Sequence, residues 1–466
     1  MDEQQTQITT HLTPDPGPRD KSTEVTRGDG RARRSLRALA LDLTPLKQSR
    51  DYRLLFTSQS VSFFGSMMSF VTLPWQMYQL TRSSLAVGLL GVAEFVPILL
   101  TAFVGGALAD YVDRRRMLRL TEAALAATTA LLIINARLAH PHVSVLYFCA
   151  ALFAALNGLQ RPSLDALAPR LVAAEQIPAV SALNALRGSI GMIGGPALGG
   201  VLVVIFGPAL AYTFDLATFV VSLIALWLLR AAPPPTDAER PSMRSVVEGL
   251  RYARSRQELL GTYLVDLNAM FFGMPMALFP AMAVGFGGAS VGLLYASPAV
   301  GSLCATLTSG WTKRVERHGL AVAVAAASWG VAIICFGLTA RLWLALLCLA
   351  LAGAADTVSG LFRMTIWNQT IPDHLRGRLA GIELVSYTTG PMLGNTESGL
   401  VATLFSVRTS VISGGVLCVV GTGLLMLALP KFLRYDGRAG LARKQAEERA
   451  RAGANDAPLA TAKELG

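Results

Sequence analysis

Four ionisable residues stand inside stretches of this chain that are otherwise apolar: Glu94, Asp266, Asp356 and Arg363. A charge in the hydrocarbon core of a bilayer is expensive, so such a side chain is a functional site by default. It can pick up and release a proton, or hold a group of opposite charge. Glu94 stands three residues before Pro97 with no basic neighbour in sequence. Burying an ionised carboxylate alone is costly, which makes Glu94 the first choice for carrying a proton. Asp356 and Arg363 are seven residues apart, two helical turns along one face, and so share one wall of a cavity. There Asp356 is a second proton site, and Arg363 holds that carboxylate or an anionic substrate. Asp266 is the third candidate for proton coupling. Gln59 and Phe63 lie in the first apolar run and are suited to contact an amphipathic molecule. Trp75 and Tyr78, further along it, suit the outer membrane interface.

Two further patterns bear on motion. Gly105-Gly106-Ala107-Leu108-Ala109-Asp110-Tyr111-Val112-Asp113-Arg114-Arg115-Arg116 joins two apolar runs through a short, strongly basic turn. So much positive charge in a short loop places it on the cytoplasmic side. Gly106, Asp110, Arg114 and Arg115 are the expected gating loop. Gly191, Gly195 and Gly199 recur every four residues in another apolar run, a stripe without side chains on one helix face, with Pro196 and Gly200 beside it. Close packing and a proline kink are expected there.

These residues need a membrane-spanning scaffold. The chain of 466 residues is 52% hydrophobic and only 15% charged, with a mean hydropathy of +0.47; soluble domains carry about 25% charged residues. The net charge of +11 belongs with cytoplasmic loops and not with nucleic acid. Apolar runs predict twelve spans, at 54–79, 84–109, 116–138, 143–162, 182–206, 209–230, 258–284, 290–310, 319–339, 342–367, 379–405 and 409–430. The fold class is therefore all-α, integral to the membrane, with two six-helix bundles at 53–230 and 258–430. A polar tail, 1–52, is mostly disordered. A charged linker with Pro233-Pro234-Pro235 and one amphipathic helix covers 231–257. A second polar tail covers 431–466. Basic loops alternate with nearly neutral ones, which places both termini in the cytoplasm. Glu122, Arg187 and Glu383 fall near cytoplasmic ends, and Asp215 and Glu397 near outer ends, where they are expected to be structural. The five cysteines lie in apolar runs and are expected to be buried, without disulfides or metal. A weak internal repeat links Gly194-Gly195-Pro196-Ala197-Leu198-Gly199 with Thr389-Gly390-Pro391-Met392-Leu393-Gly394.

The basic loop resembles that between helices two and three of major facilitator transporters, Gly-x-x-x-Asp-Arg-x-Gly-Arg-Arg. Gly106, Asp110, Arg114 and Arg115 match, while Tyr111 and Asp113 depart from it. The glycine–proline stripe is similar to a helix-five signature of drug–proton antiporters, which is associated with export. Phe279-Pro280-Ala281-Met282-Ala283, Gly292-Leu293-Leu294-Tyr295-Ala296-Ser297-Pro298 and Gln369-Thr370-Ile371-Pro372-Asp373-His374-Leu375-Arg376-Gly377-Arg378 look like the enterobactin-exporter branch of that superfamily. The resemblance implies a cavity lined by the first, fourth, seventh and tenth helices, and efflux of a siderophore or amphipathic drug-like molecule by alternating access in exchange for protons. Residues 143–160 lack the arginine that many antiporters carry, so the resemblance assigns no coupling residue there. The implied partners of this monomer in the cell membrane are a small-molecule substrate, protons and the lipid bilayer, with no nucleic acid, cofactor or metal. The alternatives are proton-coupled uptake of a small solute and a non-transporting membrane sensor. An enzyme would need clustered nucleophile, base or metal ligands, and no phosphate-binding Gly-x-x-x-x-Gly-Lys-Ser/Thr occurs.

Overall fold

The structure is a computed structural model. It describes residues 42–111, 113–230, 251–252, 254–372, 375–438, 440–446 and 449, with the backbone alone for 102–111, 166, 376–378 and 380–387. The two tail segments 1–41 and 450–466, the amphipathic helix expected in the linker, and the side chains of Gly106, Asp110 and Glu383 lie outside the described residues.

Among the described residues the chain is helical, with one isolated β-bridge. Six long helices form its first half: α1 Arg50–Thr81, α2 Ser84–Tyr111, α3 Arg114–Arg137, α4 Val143–Leu167, α5 Ile177–Phe206 and α6 Pro208–Trp227. Six form its second half: α7 Gln257–Phe272, α8 Ser290–Leu307, α9 His318–Leu338, α10 Leu342–Thr370, α11 Arg376–Leu404 and α12 Val407–Ala428. Eleven spans are long and apolar enough to cross a membrane, and α11 adds a further 29-residue helix. Several helices run past their apolar stretch at the basic end, as α1 and α5 do, because the backbone ladder continues where the side chains turn polar.

The seventh span differs in kind from the continuous helix expected at 258–284. α7 stops at Phe272, a 3-10 turn covers Met276–Leu278, and a short helix resumes over Phe279–Phe286. Pro275 has no amide hydrogen and disfavours a helical residue before it. Backbone groups freed inside a bilayer need partners, and three other helices supply them. The Trp329 indole of α9 donates to the Gly273 carbonyl at 2.9 Å, and the Tyr295 hydroxyl of α8 donates to the Met276 carbonyl at 2.9 Å. The Ala277 amide donates to the Asn395 side chain of α11 at 3.1 Å.

The halves repeat one packing plan. α1 lies on α5 and α6, α2 on α4, and α3 on α4 and α6; α7 lies on α11 and α12, α8 on α10, and α9 on α10 and α12. The repeated glycines do the same work in each half. Gly195 and Gly199 of α5 sit against Met67, Phe64 and Met68 of α1, and Gly390 and Gly394 of α11 sit against Met270 and Phe271 of α7. The Gly191, Gly195 and Gly199 stripe thus packs within its own half.

The two halves meet along α2–α11 and α5–α8. Both seams bring backbone against backbone. Gly88 and Gly91 face the main chain of Asn395 and Met392, Gly399 faces Ser84, and the Thr396 hydroxyl donates to the Gly88 carbonyl at 2.9 Å. Gly200 faces Gly292, which in turn faces the Pro196 carbonyl. All of these contacts lie toward the helix ends remote from the Arg114–Arg119 turn. Trp75 is buried near that end against Gly288, and so is part of the packing and not of an interfacial belt.

Two local features concern the basic ends. Asp113, which departs from the loop motif, is the N-cap of α3: its carboxylate accepts from the Arg115 amide at 2.8 Å. Asp113→Ala is expected to lower stability by about 1 kcal/mol, measured as the thermal midpoint in detergent, and an unchanged midpoint would remove the cap from the account. After α12 the chain straps the basic ends of three other helices. Arg438 pairs with Glu316 at 2.9 Å, Arg443 pairs with Glu258 at 3.1 Å, and Lys444 donates to the Asn368 carbonyl at 3.4 Å. Gly437 sits against Gln369 and His318, and the Tyr435 hydroxyl bonds Thr370 at 3.0 Å. Of the cysteines, Cys149, Cys348 and Cys418 are buried as expected, whereas Cys304 and Cys335 are exposed on the outer faces of their helices.

Candidate functional site

The second half holds a three-member charge cluster. Arg363 of α10 pairs with Asp266 of α7, and its other terminal nitrogen lies 3.8 Å from Asp356 one helical stretch back on α10. The Arg363 and Asp266 side chains are 13% and 8% exposed, but that of Asp356 is 40% exposed. The buried pair is therefore anchored, while the second carboxylate is the more accessible of the two acids. The cluster carries one positive and two negative groups. The Arg363 Nε is buried with no hydrogen-bond partner. The seven-residue spacing brought Asp356 and Arg363 together as expected; that Asp266 completes the cluster across helices was not visible in the sequence.

Glu94 lies on α2 three residues beyond Gly91 of the seam. It is half-buried, within electrostatic reach of Tyr295 on α8, and has no ion pair among the described residues. It therefore sits beside the sealed end and apart from the Arg363 cluster.

The first half contains two acids that the sequence placed near helix ends and that are in fact fully buried, Glu122 and Asp215. Glu122 does not reach out to solvent. Gln160 of α4 donates to it at 2.7 Å, and Ser222 of α6 and Ser62 of α1 also bond it. Ser222 shares a further hydrogen bond with Ser58 of α1 at 2.7 Å. Asp215 of α6 accepts from Ser69 of α1 at 2.5 Å and from Thr129 of α3 at 3.4 Å. Both acids are held by neutral hydroxyl and amide groups. The signal was present in the spacing of Ser58, Ser62 and Ser69, which gives α1 one hydroxyl-bearing face.

Gln59 is buried and lines a cavity at the basic end of the first half, between α1, the end of α4 and α5. Phe63 packs against Gly191, with the Arg187 guanidinium 5.7 Å from its ring centroid. Gly191 thus makes room for Phe63, and Pro196 and Gly200 face α8. Arg114 is buried beneath the basic turn, and Arg115 is half-buried. Among the described residues no three His, Cys, Asp or Glu side chains converge as a metal site would require.

Comparison with known proteins places this architecture. The family model described as transmembrane secretion effector matches residues 40–449. The chain is 30% identical over 402 residues to the enterobactin exporter EntS of Citrobacter koseri, covering 85% of this chain and 95% of that one. It is 29% identical over 394 residues to the enterobactin exporter EntS of Shigella dysenteriae, covering 83% and 94%. Among solved structures, a D323A mutant of the nucleoside transporter NupG superposes with a TM-score of 0.68 at 12% identity, over 81% of this chain and 99% of that one. A bacterial homologue of the lysosomal transporter Spinster, inward-facing and unoccupied, superposes with a TM-score of 0.67 at 16% identity, over 83% and 99%. These structural likenesses bear on the fold alone. Two six-helix halves built on one plan, joined by glycine seams, and a family match across nearly the whole sequence lead to one conclusion: the chain belongs to the transmembrane secretion effector family of major facilitator transporters, and is a multi-pass membrane transporter rather than an enzyme.

Proposed function

We propose that this transporter exports a siderophore or another amphipathic small molecule across the cell membrane, by alternating access and in exchange for protons. The observation that carries the reading is the pair of glycine seams. They join the halves at the end remote from the basic loops, with Glu94 just beside them and the Arg363 cluster in the second half. Two similar proteins named as exporters of one siderophore support the direction and the substrate class. With the basic loops in the cytoplasm, the seams close the outer side and substrate enters from within. Rocking of the halves then opens the α2–α11 and α5–α8 contacts. The basic turn with Gly106, Asp110, Arg114 and Arg115 holds one of the two states.

Coupling requires a carboxylate that is protonated on one side and released on the other. Glu94 is the first choice because it has no cation to hold it ionised. Asp356 is the second, because its side chain is open while Asp266 is held by Arg363. The test uses proteoliposomes whose lumen is acidified and whose outward face is the cytoplasmic one, with enterobactin and ethidium as probes. The wild-type protein should accumulate a probe against its gradient and lose it when the proton gradient is dissipated. Glu94→Gln with Asp356→Asn should abolish accumulation while leaving equilibrium exchange. If the double variant still concentrates the probe, neither acid couples, and Asp266 is the next candidate.

A further inference from the structure

The cavity beside Gln59 has a volume of about 200 Å³ and is lined by Tyr52, Phe56 and Gln59 of α1, Asp165 of α4, and Asn184 and Arg187 of α5. Three of these residues carry a buried polar atom with no hydrogen-bond partner among the described residues: Tyr52 Oη, Gln59 Nε2 and Arg187 Nε. Tyr52 is 1% exposed and Gln59 is 7% exposed. Buried polar groups are nearly always hydrogen-bonded, and leaving one unbonded costs about 1–3 kcal/mol. Three such atoms around one cavity call for a partner inside it, water or a guest that displaces water.

The chemistry of the wall defines that guest. Gln59 Nε2 and Arg187 Nε can only donate, a phenol hydroxyl can donate or accept, and one donor belongs to a permanent cation. Asp165 is exposed and within electrostatic reach of Arg187, but among the described residues it forms no salt bridge with it, so the guanidinium keeps donors for a guest. Around these donors stand aromatic rings: Tyr52 and Phe56 have centroids 6.1 Å apart, and Phe63 lies under the guanidinium. Donors, one fixed positive charge and flat apolar walls complement a planar ring that carries anionic oxygens. A volume of about 200 Å³ falls below the roughly 300–1,000 Å³ of sites that take a whole drug-sized ligand. It suits one arm of a larger molecule.

We propose that this cavity is a subsite for an aryl-acid arm of the exported molecule, a single aromatic ring bearing carboxylate or phenolate oxygens. The ring lies against Tyr52 and Phe56, and the oxygens accept from Arg187, Gln59 and the Tyr52 hydroxyl. The site opens at the basic end of the first half, where substrate enters if the seams close the opposite side. Gly191 has a part in it, because only a residue without a side chain there lets Phe63 lie beneath Arg187. This deepens the export reading and rests on it for the guest being cargo.

The test measures binding and not transport. The full-length protein in nanodiscs is titrated with salicylate, with neutral salicylamide and with cationic benzylamine, by calorimetry and by saturation-transfer NMR. Salicylate should bind at least ten times more tightly than the other two. Arg187→Gln should weaken salicylate at least tenfold with an unchanged thermal midpoint, and Tyr52→Phe should weaken it a few-fold. Gln59→Glu places an anion in the cavity and should abolish salicylate binding, which serves as an independent test if Arg187→Gln fails to fold. Equal binding of the three probes, no binding of salicylate, or salicylate binding unaffected by both Arg187→Gln and Gln59→Glu would each overturn the subsite. A protein that binds salicylate as described but accumulates neither transport probe would instead overturn the export reading.

Discussion

Arg363→Gln is expected to abolish transport and to weaken the fold of the second half at the same time. In the native protein Arg363 is the cation between Asp266 and Asp356, and the Asp266–Arg363 pair is almost shut off from solvent. Removing one partner of a buried pair leaves an uncompensated charge, at a cost of about 3–5 kcal/mol. Asp356 adds less, because its side chain is 40% exposed. The thermal midpoint in detergent should fall, and proteoliposomes should show neither accumulation nor exchange. Asp266→Asn combined with Arg363→Gln removes both buried charges together and should recover most of the midpoint without recovering transport. If the double variant is as unstable as the single one, Arg363 does not stabilise the fold by balancing the Asp266 charge.

Gly292→Val should instead shift the protein between its states while leaving each half intact. A side chain at residue 292 would run into the Pro196 carbonyl and the Gly200 Cα, the latter 2.9 Å from the added carbon. Both belong to α5, so the strain falls on the seam and not within the second half. Overpacking of this kind costs about 1–3 kcal/mol. The cost applies only where the seam is closed, so the ratio of closed to open molecules should drop by a factor of roughly 5–150. Spin labels at Arg82→Cys and Leu404→Cys, with the exposed Cys304 and Cys335 replaced by serine, report the separation at this end. The valine should lengthen the distance and reduce transport to a small fraction. An unchanged distance distribution in a folded protein would mean that the seam is not the closing contact.

The sequence makes the scaffold legible because apolar run length and turn charge are local properties. The spans appear within a few residues of their expected positions, and the Asp356–Arg363 pair follows from helical spacing alone. What escapes is whatever depends on which helix lies next to which. Asp266 joins Arg363 from a helix about ninety residues earlier in the chain. Glu122 and Asp215 are near span ends when residues are counted along the sequence, yet their neighbours on α1, α3, α4 and α6 enclose them completely. The break in α7 hides in an apolar stretch punctuated by Gly273, Pro275 and Pro280, and whether a helix bends or breaks at a proline depends on groups outside it. Here Trp329, Tyr295 and Asn395 support the broken form. The orphan donors of Tyr52, Gln59 and Arg187 are likewise a property of two helices together, α1 and α5.

The strap after α12 gives the two halves unequal mechanical parts. It joins the basic ends of α7, α9 and α10 through Arg443, Arg438 and Lys444. A lever whose arms are bound at the base transmits a turn without splaying. In the proposed cycle the strapped second half is the stiffer part, the stator, and the first half swings against it. The two ion pairs of the strap are carried by exposed arginines, Arg438 and Arg443, so salt that screens them loosens it first. An affinity tag that pulls on residues 438–444 would then slow the swing from a place far from both seams.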